Sequence, residues 1–263
     1  MQTRLVYRLG QHARYTPPPS FALPDPLPPM RQLTDHPITT RWPPAHPERL
    51  QLYSFPTPNG VKASIALEEL GLPYEAHTVT LKDEDVKSHA FLALNPNGKI
   101  PAIIDPDGPG GKPLALFESG AILIYLAEKC GKLLPADPAR RHETIAWVMF
   151  QMGGVGPVFG QYGFFARFAG KAVEDPLPRE RYRGESVRLL GVLEDRLRDA
   201  EYLVGAEYSI ADIATFPWVR GAKVFYEAEE AFEMDSVPHV MAWLERCAAR
   251  PAAARGLEIP SRD

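Results

Sequence analysis

Ile100-Pro101-Ala102-Ile103-Ile104-Asp105-Pro106-Asp107-Gly108-Pro109-Gly110-Gly111-Lys112-Pro113-Leu114-Ala115-Leu116-Phe117-Glu118-Ser119-Gly120 is the stretch that decides the fold. Two short apolar runs, 100–104 and 113–117, flank a turn from Asp105 to Gly111, which spells an antiparallel hairpin. Glu118-Ser119-Gly120 then opens a helix whose apolar residues Ala121, Ile122, Leu123, Tyr125 and Leu126 carry it to about Lys129. Upstream, Asn95-Pro96-Asn97-Gly98 stops a short helix over 87–94. Before that helix, residues 74–81 read as a strand. Further back, Val61 to Leu70 has apolar positions at 61, 65, 66, 67 and 70, and Gly71 and Pro73 end that helix in the expected order. Leu50-Gln51-Leu52-Tyr53-Ser54 is a strand broken by Pro56-Thr57-Pro58-Asn59-Gly60.

The resulting order, β-α-β-α-β-β-α, is that of an α/β thioredoxin-like domain over residues 49–131. After Gly131 only helical stretches follow, at about 138–167, 177–200, 209–227 and 236–250, so an all-α domain is expected over 136–255. Its first helix should kink where Gly153-Gly154-Val155-Gly156-Pro157 removes helix propensity and one hydrogen bond. Ser209-Ile210-Ala211-Asp212 has capping-box form, with Tyr208 and Ile213 placed as a hydrophobic staple. Residues 1–48 form a proline-rich arm holding 11 of the 28 prolines. Leu5, Tyr7, Tyr15, Phe21, Leu23, Leu27 and Trp42 in that arm suggest that it packs on its own domain or on a partner subunit.

Composition excludes more than it names. Hydrophobic residues make up 45% and charged residues 24%, the balance of an ordinary soluble domain. A formal net charge of −4 argues against a nucleic-acid binder, which needs a basic excess to neutralise phosphates. No stretch approaches the length of a membrane span and no secretory-type apolar core is present, so a cytoplasmic location is expected. Cys130 and Cys247 have no partner spacing, which points to buried filler and to neither a disulfide framework nor a metal site.

Two short segments carry chemistry. Ile100-Pro101 precedes an antiparallel strand, a position suited to a cis bond that would turn the backbone N–H and C=O of Ile100 outward to pair with a peptide ligand. At Glu118-Ser119 the free N–H groups of a helix start, a hydroxyl donor and a carboxylate together match the α-amino acid end of a γ-glutamyl group. The plainer reading is a helix cap, with Ser119 as N-cap.

Phe117-Glu118-Ser119-Gly120-Ala121-Ile122, Asn95-Pro96-Asn97-Gly98-Lys99-Ile100-Pro101-Ala102 and Tyr208-Ser209-Ile210-Ala211-Asp212 resemble, in order and spacing, motifs of the glutathione transferases. The resemblance covers residues 50 to 255. Thr57-Pro58-Asn59-Gly60, with Gly153-Gly154-Val155-Gly156-Pro157 and Gly160-Gln161, is similar to the Nu class, the bacterial disulfide-bond oxidoreductases.

That resemblance implies a dimeric glutathione-dependent disulfide reductase with weak transferase or peroxidase activity. Thr57 and Asn59 would stabilise the glutathione thiolate where other classes use Tyr, Ser or Cys. Ile100, with Pro101, would pair with the cysteinyl backbone, and Glu118 and Ser119 would hold the γ-glutamyl end. Val86 departs from the pattern, standing where relatives carry Gln or His for the glycine carboxylate, so Lys87 or Lys99 would have to supply that charge. With no cysteine near Thr57, both reducing thiols would come from glutathione, possibly two molecules per subunit, acting on a small-molecule disulfide or electrophile. Phe159, Gln161, Tyr162, Phe164, Phe165 and Arg167 are candidates for the second-substrate wall or, equally, ordinary core. The competing class is a non-catalytic module that keeps the fold as an interaction or regulatory scaffold.

Overall fold

The strand at Leu50–Ser54 (β1) is buried along its whole length because it is paired on both edges and covered on both faces. The computed structural model describes residues 30–262. Around β1 the sheet order is β2-β1-β3-β4, with β2 at Tyr74–Thr78, β3 at Ala102–Asp105 and β4 at Leu114–Phe117. β1 and β2 are parallel, while β1/β3 and β3/β4 are antiparallel, the arrangement of a thioredoxin-like sheet. Side chains alternate across it. Leu50, Leu52 and Ile103 join one apolar cluster, whereas Tyr53, Ala102 and Ile104 join another on the opposite face.

That opposite face is covered by the end of the arm. Leu33 and Ile38 are buried in the second cluster, the latter in a single helical turn, α1, at Ile38–Arg41. Trp42 donates its indole N–H to the Thr78 carbonyl at 3.0 Å and meets Tyr53 and Phe91 edge-on. The carboxylate of Glu75 accepts from the backbone N–H groups of Ala45 and His46 at 2.8 and 2.7 Å. Residues 30–48 therefore pack on their own domain. Leu5, Tyr7, Tyr15, Phe21, Leu23 and Leu27 lie outside the described residues.

On the first face lie α2 (Gly60–Leu70) and α5 (Ser119–Cys130). The expected helix over 87–94 is α4 at His89–Leu94, started by Ser88, which caps it through the Phe91 N–H, and a further short helix not read from the sequence, α3 at Asp83–Val86, precedes it. Gly71 and Gly131 end α2 and α5 in the left-handed conformation that glycine takes without a Cβ penalty.

The helical part comprises α6 (Pro138–Phe150), α7 (Gly156–Arg167), α8 (Leu177–Leu197), α9 (Ile210–Val224), α10 (Pro238–Ala248) and α11 (Pro251–Gly256). α6 runs into α7 through a π-helical turn at Gln151–Val155, in place of a simple proline kink, and Pro157 falls in the first turn of α7, where its missing N–H costs nothing. α9 is buried nearly all round, and the capping box at its start is present. The Asp212 carboxylate accepts from the N–H of Leu203 (2.9 Å), from the N–H and hydroxyl of Ser209 (3.0 Å each) and from the Trp243 indole (2.9 Å). α11 has no counterpart in the sequence reading. It packs on α2 through Gly256, where a Cβ would stand 2.6 Å from Ile65, and the Gly256 carbonyl accepts from Ser64 at 2.6 Å.

Asp212→Ala strands four donors in a dry core, which should lower stability by at least about 3 kcal/mol in urea unfolding. Gly60 meets the end of β1 so closely that an added Cβ would lie 1.9 Å from the Phe55 carbonyl oxygen. Gly60→Ala should therefore destabilise by about 2–3 kcal/mol and shift the start of α2, seen as a lower urea midpoint with unchanged m-value.

Candidate functional site

Two helix N-termini, those of α2 and α5, open beside the loop that ends in Pro101. Thr57 lies three residues before Gly60, and its hydroxyl accepts the Gly60 N–H at 3.2 Å while its carbonyl accepts the Val61 N–H at 3.0 Å. One lone pair of Thr57 Oγ1 is thus committed to the helix, and its O–H proton is left to donate elsewhere. Asn59 is fixed differently. Its side-chain carbonyl accepts the Trp218 indole N–H from α9 at 2.9 Å, which leaves the amide N–H groups as donors. Trp218 was not singled out by sequence, since nothing local links residue 218 to residue 59.

Ile100-Pro101 is cis, as expected. The loop before it is shaped by Asn95, whose amide donates to the Lys99 carbonyl at 2.5 Å and whose Oδ1 accepts the Asn97 N–H at 2.9 Å. Glu118 is exposed and adopts φ 72°, a region costly for a residue with a Cβ and one that collects at functional sites. Ser119 behind it is buried.

These groups line two adjoining hollows that share part of their walls. One is lined by Asn59, Asn95, Asn97, Pro101, Glu118 and Ser119, the other by Thr57, Leu81, Val86 and Gly98, and both by Asn59, Lys99 and Ile100. One hollow offers a carboxylate with a helix start, the other Thr57 beside apolar Leu81 and Val86, and Asn59 and Lys99 serve both. Lys99 is exposed on both hollows. Lys87 is turned away: its ammonium pairs with Asp83 at 2.5 Å, one turn back on α3, and it lines neither hollow. Of the two lysines weighed for the far end, Lys99 is the one at the cleft.

The aromatic wall expected from α7 divides. Phe159 and Tyr162 are buried and packed on Phe232, at 4.9 and 4.7 Å between ring centroids, so core packing is the correct reading for both. Phe165 stacks on Tyr182, Phe164 is exposed, Gln161 is exposed, and Arg167 pairs with Glu227. None of these six lines the two hollows.

Lys62 is the site residue that sequence missed. It is fully buried on α2, its ammonium 3.3 Å from Ser119 Oγ, 2.5 Å from Gln151 Oε1 and 3.6 Å from Met152 Sδ. Burial pushes this ammonium down to about 7, against the pull of Glu118. In sequence it stands next to Val61 in an otherwise ordinary amphipathic pattern, which gives no sign of burial. Neither Cys130 nor Cys247 lines the cleft, and burial pushes both thiols up, away from thiolate character. Among the described residues no group of three or more His, Cys, Asp or Glu is placed to hold a metal ion, and no helix is long and apolar enough to cross a membrane.

Comparison with known proteins agrees with this geometry. The family model described as glutathione S-transferase, N-terminal domain, matches residues 57–129, and the C-terminal domain model matches residues 173–251. The disulfide-bond oxidoreductase YfcG of Escherichia coli is 42% identical over 209 residues, covering 79% of this chain and 94% of its own. A glutathione transferase of Burkholderia graminis, solved with two glutathione molecules bound per subunit, is 62% identical with a TM-score of 0.87, over 90% of this chain and 99% of that one. A glutathione transferase of Pseudomonas putida, solved with one glutathione disulfide bound per subunit, is 58% identical with a TM-score of 0.85, over 87% and 99%. On sequence and structure alike, the chain belongs to the glutathione S-transferase family.

Proposed function

We propose that the protein is a glutathione-dependent disulfide reductase of the Nu type that activates the thiol of a bound glutathione and carries no nucleophile of its own. The observation behind this reading is the pair of adjoining hollows, one with Thr57 and the other with Glu118 and Ser119, that share Asn59, Lys99 and Ile100 and have neither cysteine in their walls. The γ-glutamyl carboxylate lies at the start of α5 and on Ser119, the α-ammonium on Glu118, the cysteinyl backbone on Ile100 and the glycyl carboxylate on Lys99. The thiol then falls against the O–H of Thr57 and the amide of Asn59. A thiol of ordinary pKa, about 8.5, is mostly protonated at neutral pH, and donors aimed at sulfur favour the thiolate.

In the reaction, the thiolate attacks one sulfur of a small-molecule disulfide, forming a mixed disulfide and expelling the other sulfur as a thiolate. A second glutathione thiolate attacks the glutathionyl sulfur, releasing oxidised glutathione and the second substrate thiol. Two glutathiones are oxidised as one disulfide is reduced. The two glutathiones in the Burkholderia graminis structure, the glutathione disulfide in that of Pseudomonas putida and the name of the Escherichia coli relative support this class of reaction. Conjugation of an electrophile would use the same thiolate and is the expected side activity.

Titrating the thiolate absorbance of bound glutathione tests the role of Thr57. Thr57→Ala should raise the pKa of the bound thiol by about one to two units, the worth of a hydrogen bond to a charged group, and lower kcat/KM for a model disulfide to match. An unchanged titration removes Thr57 from the mechanism. Lys99→Ala should raise KM for glutathione about five-fold, Lys87→Ala should leave it unchanged, and the Lys99 effect should vanish with glutathione esterified at the glycyl carboxylate. Inactivity toward both a model disulfide and an aromatic halide, with glutathione still bound, would instead favour a binding scaffold.

A further inference from the structure

We propose that Lys62 is a positioning residue for the γ-glutamyl carboxylate: its buried side-chain nitrogen, in the ammonium form, orients the Ser119 hydroxyl toward the ligand, and in the neutral amine form it takes up a proton when that carboxylate arrives. This rests on the cleft being a glutathione site, and it assigns to that site a proton-linked binding step.

The geometry carries the argument. An ammonium has three N–H donors and no acceptor, and Lys62 places them toward Gln151 Oε1, Ser119 Oγ and Met152 Sδ. Ser119 Oγ is therefore held as an acceptor from behind, so its own O–H must point elsewhere. Its other neighbour is Met152 Sδ at 3.5 Å, a weak acceptor that a carboxylate readily displaces. A ligand carboxylate at the start of α5 thus meets a hydroxyl already turned outward and polarised by a cation one bond behind it.

The charge balance at Lys62 is unusual. No carboxylate lies within ion-pair distance of it among the described residues, although it is fully buried, a costly state for an ammonium. Around it α5 contributes Ser119, and the π-helical turn contributes the neutral Gln151 and Met152. α9 and α11, also packed on α2, add no charge that acts on it; Glu118 is the one group that does, and from a distance. Binding replaces this arrangement. The ligand α-ammonium engages Glu118, while its carboxylate stands at Ser119, whose Oγ is 3.3 Å from the Lys62 nitrogen. An opposite charge brought close favours the charged form.

The sign follows. In the free protein burial holds the Lys62 ammonium down to about 7, so above that pH the amine is mostly neutral before binding and protonated after it. Below pH 7 it is charged in both states. Proton uptake on binding is therefore large at pH 8 and small at pH 6, and affinity for the γ-glutamyl group falls as pH rises between them.

Calorimetry with S-methylglutathione, which has no thiol proton to release, measures this directly when run in HEPES and in Tris at each pH. Wild type should take up roughly half a proton or more at pH 8 and little at pH 6. Lys62→Met should abolish the uptake and weaken binding about ten-fold at pH 6.5. Lys62→Arg, whose guanidinium stays charged, should bind without uptake. Binding by wild type at pH 8 with no proton taken up overturns the proposal, even if Lys62→Met does not fold. Uptake that persists in folded Lys62→Met or Lys62→Arg also overturns it. Absence of any binding would remove the glutathione reading and this inference together.

Discussion

The contact between Gly60 and the end of β1 sets the position of everything else at the site. No side chain fits there, because a Cβ would lie inside the Phe55 carbonyl, and α2 therefore starts at one height against the sheet. Thr57 and Asn59, which lead into that helix, inherit their places from it. The opposite side of α2 is closed in the same way by Gly256 of α11, which allows no Cβ against Ile65. A helix gripped on both sides has little solvent face, and Gly60 through Leu67 are all buried. That is why a lysine at position 62 ends up inside the protein. Its only polar company is what the neighbouring elements bring to it.

Whether a feature could be read from the sequence depended on how local its cause is. The hairpin at 102–117, the glycine ends of α2 and α5 and the capping box of α9 follow from residues a few positions apart, and all are present. Lengths erred where pairing decides them. β2 stops at Thr78 rather than residue 81, because it extends only as far as β1 offers partners, up to Ser54. α11 escaped notice because it is only six residues long, bounded by Pro251 and Gly256, and its packing against α2 is a tertiary matter. The Trp218–Asn59 bond spans 159 positions and Lys62–Gln151 spans 89, distances over which no spacing rule speaks. For the α7 aromatics the helical period could not separate a cleft wall from a core, and Phe232 decides for core at Phe159 and Tyr162.

The two hollows differ in charge. Glu118 and the start of α5 line one, Thr57 with apolar Leu81 and Val86 lines the other, and Asn59 and Lys99 line both. A carboxylate beside a helix start suits a zwitterionic group, Lys99 on the shared wall suits an anion, and Asn59 on that wall is an uncharged donor. Neutral donors have a chemical consequence. On the proposed reading they would favour a thiolate by hydrogen bonding without fixing it in an ion pair, so the sulfur would keep more of its nucleophilicity than it would beside a buried cation. The apolar Leu81 and Val86 near Lys99 lower the local polarity without adding a competing acceptor.

The helical domain reaches the cleft from behind at both of its working points. Trp218 of α9 holds Asn59, and Gln151 of the π-helical turn holds Lys62 behind Ser119. The successive residues Gln151 and Met152 of that turn both contact the one ammonium. On the placement of glutathione proposed above, the contacts of Trp218 and Gln151 act on groups that face it. The helical domain would then be part of the glutathione site itself, and changes at Trp218 or Gln151 would bear on thiol activation and γ-glutamyl binding, although both residues lie outside the thioredoxin-like domain that lines most of the two hollows.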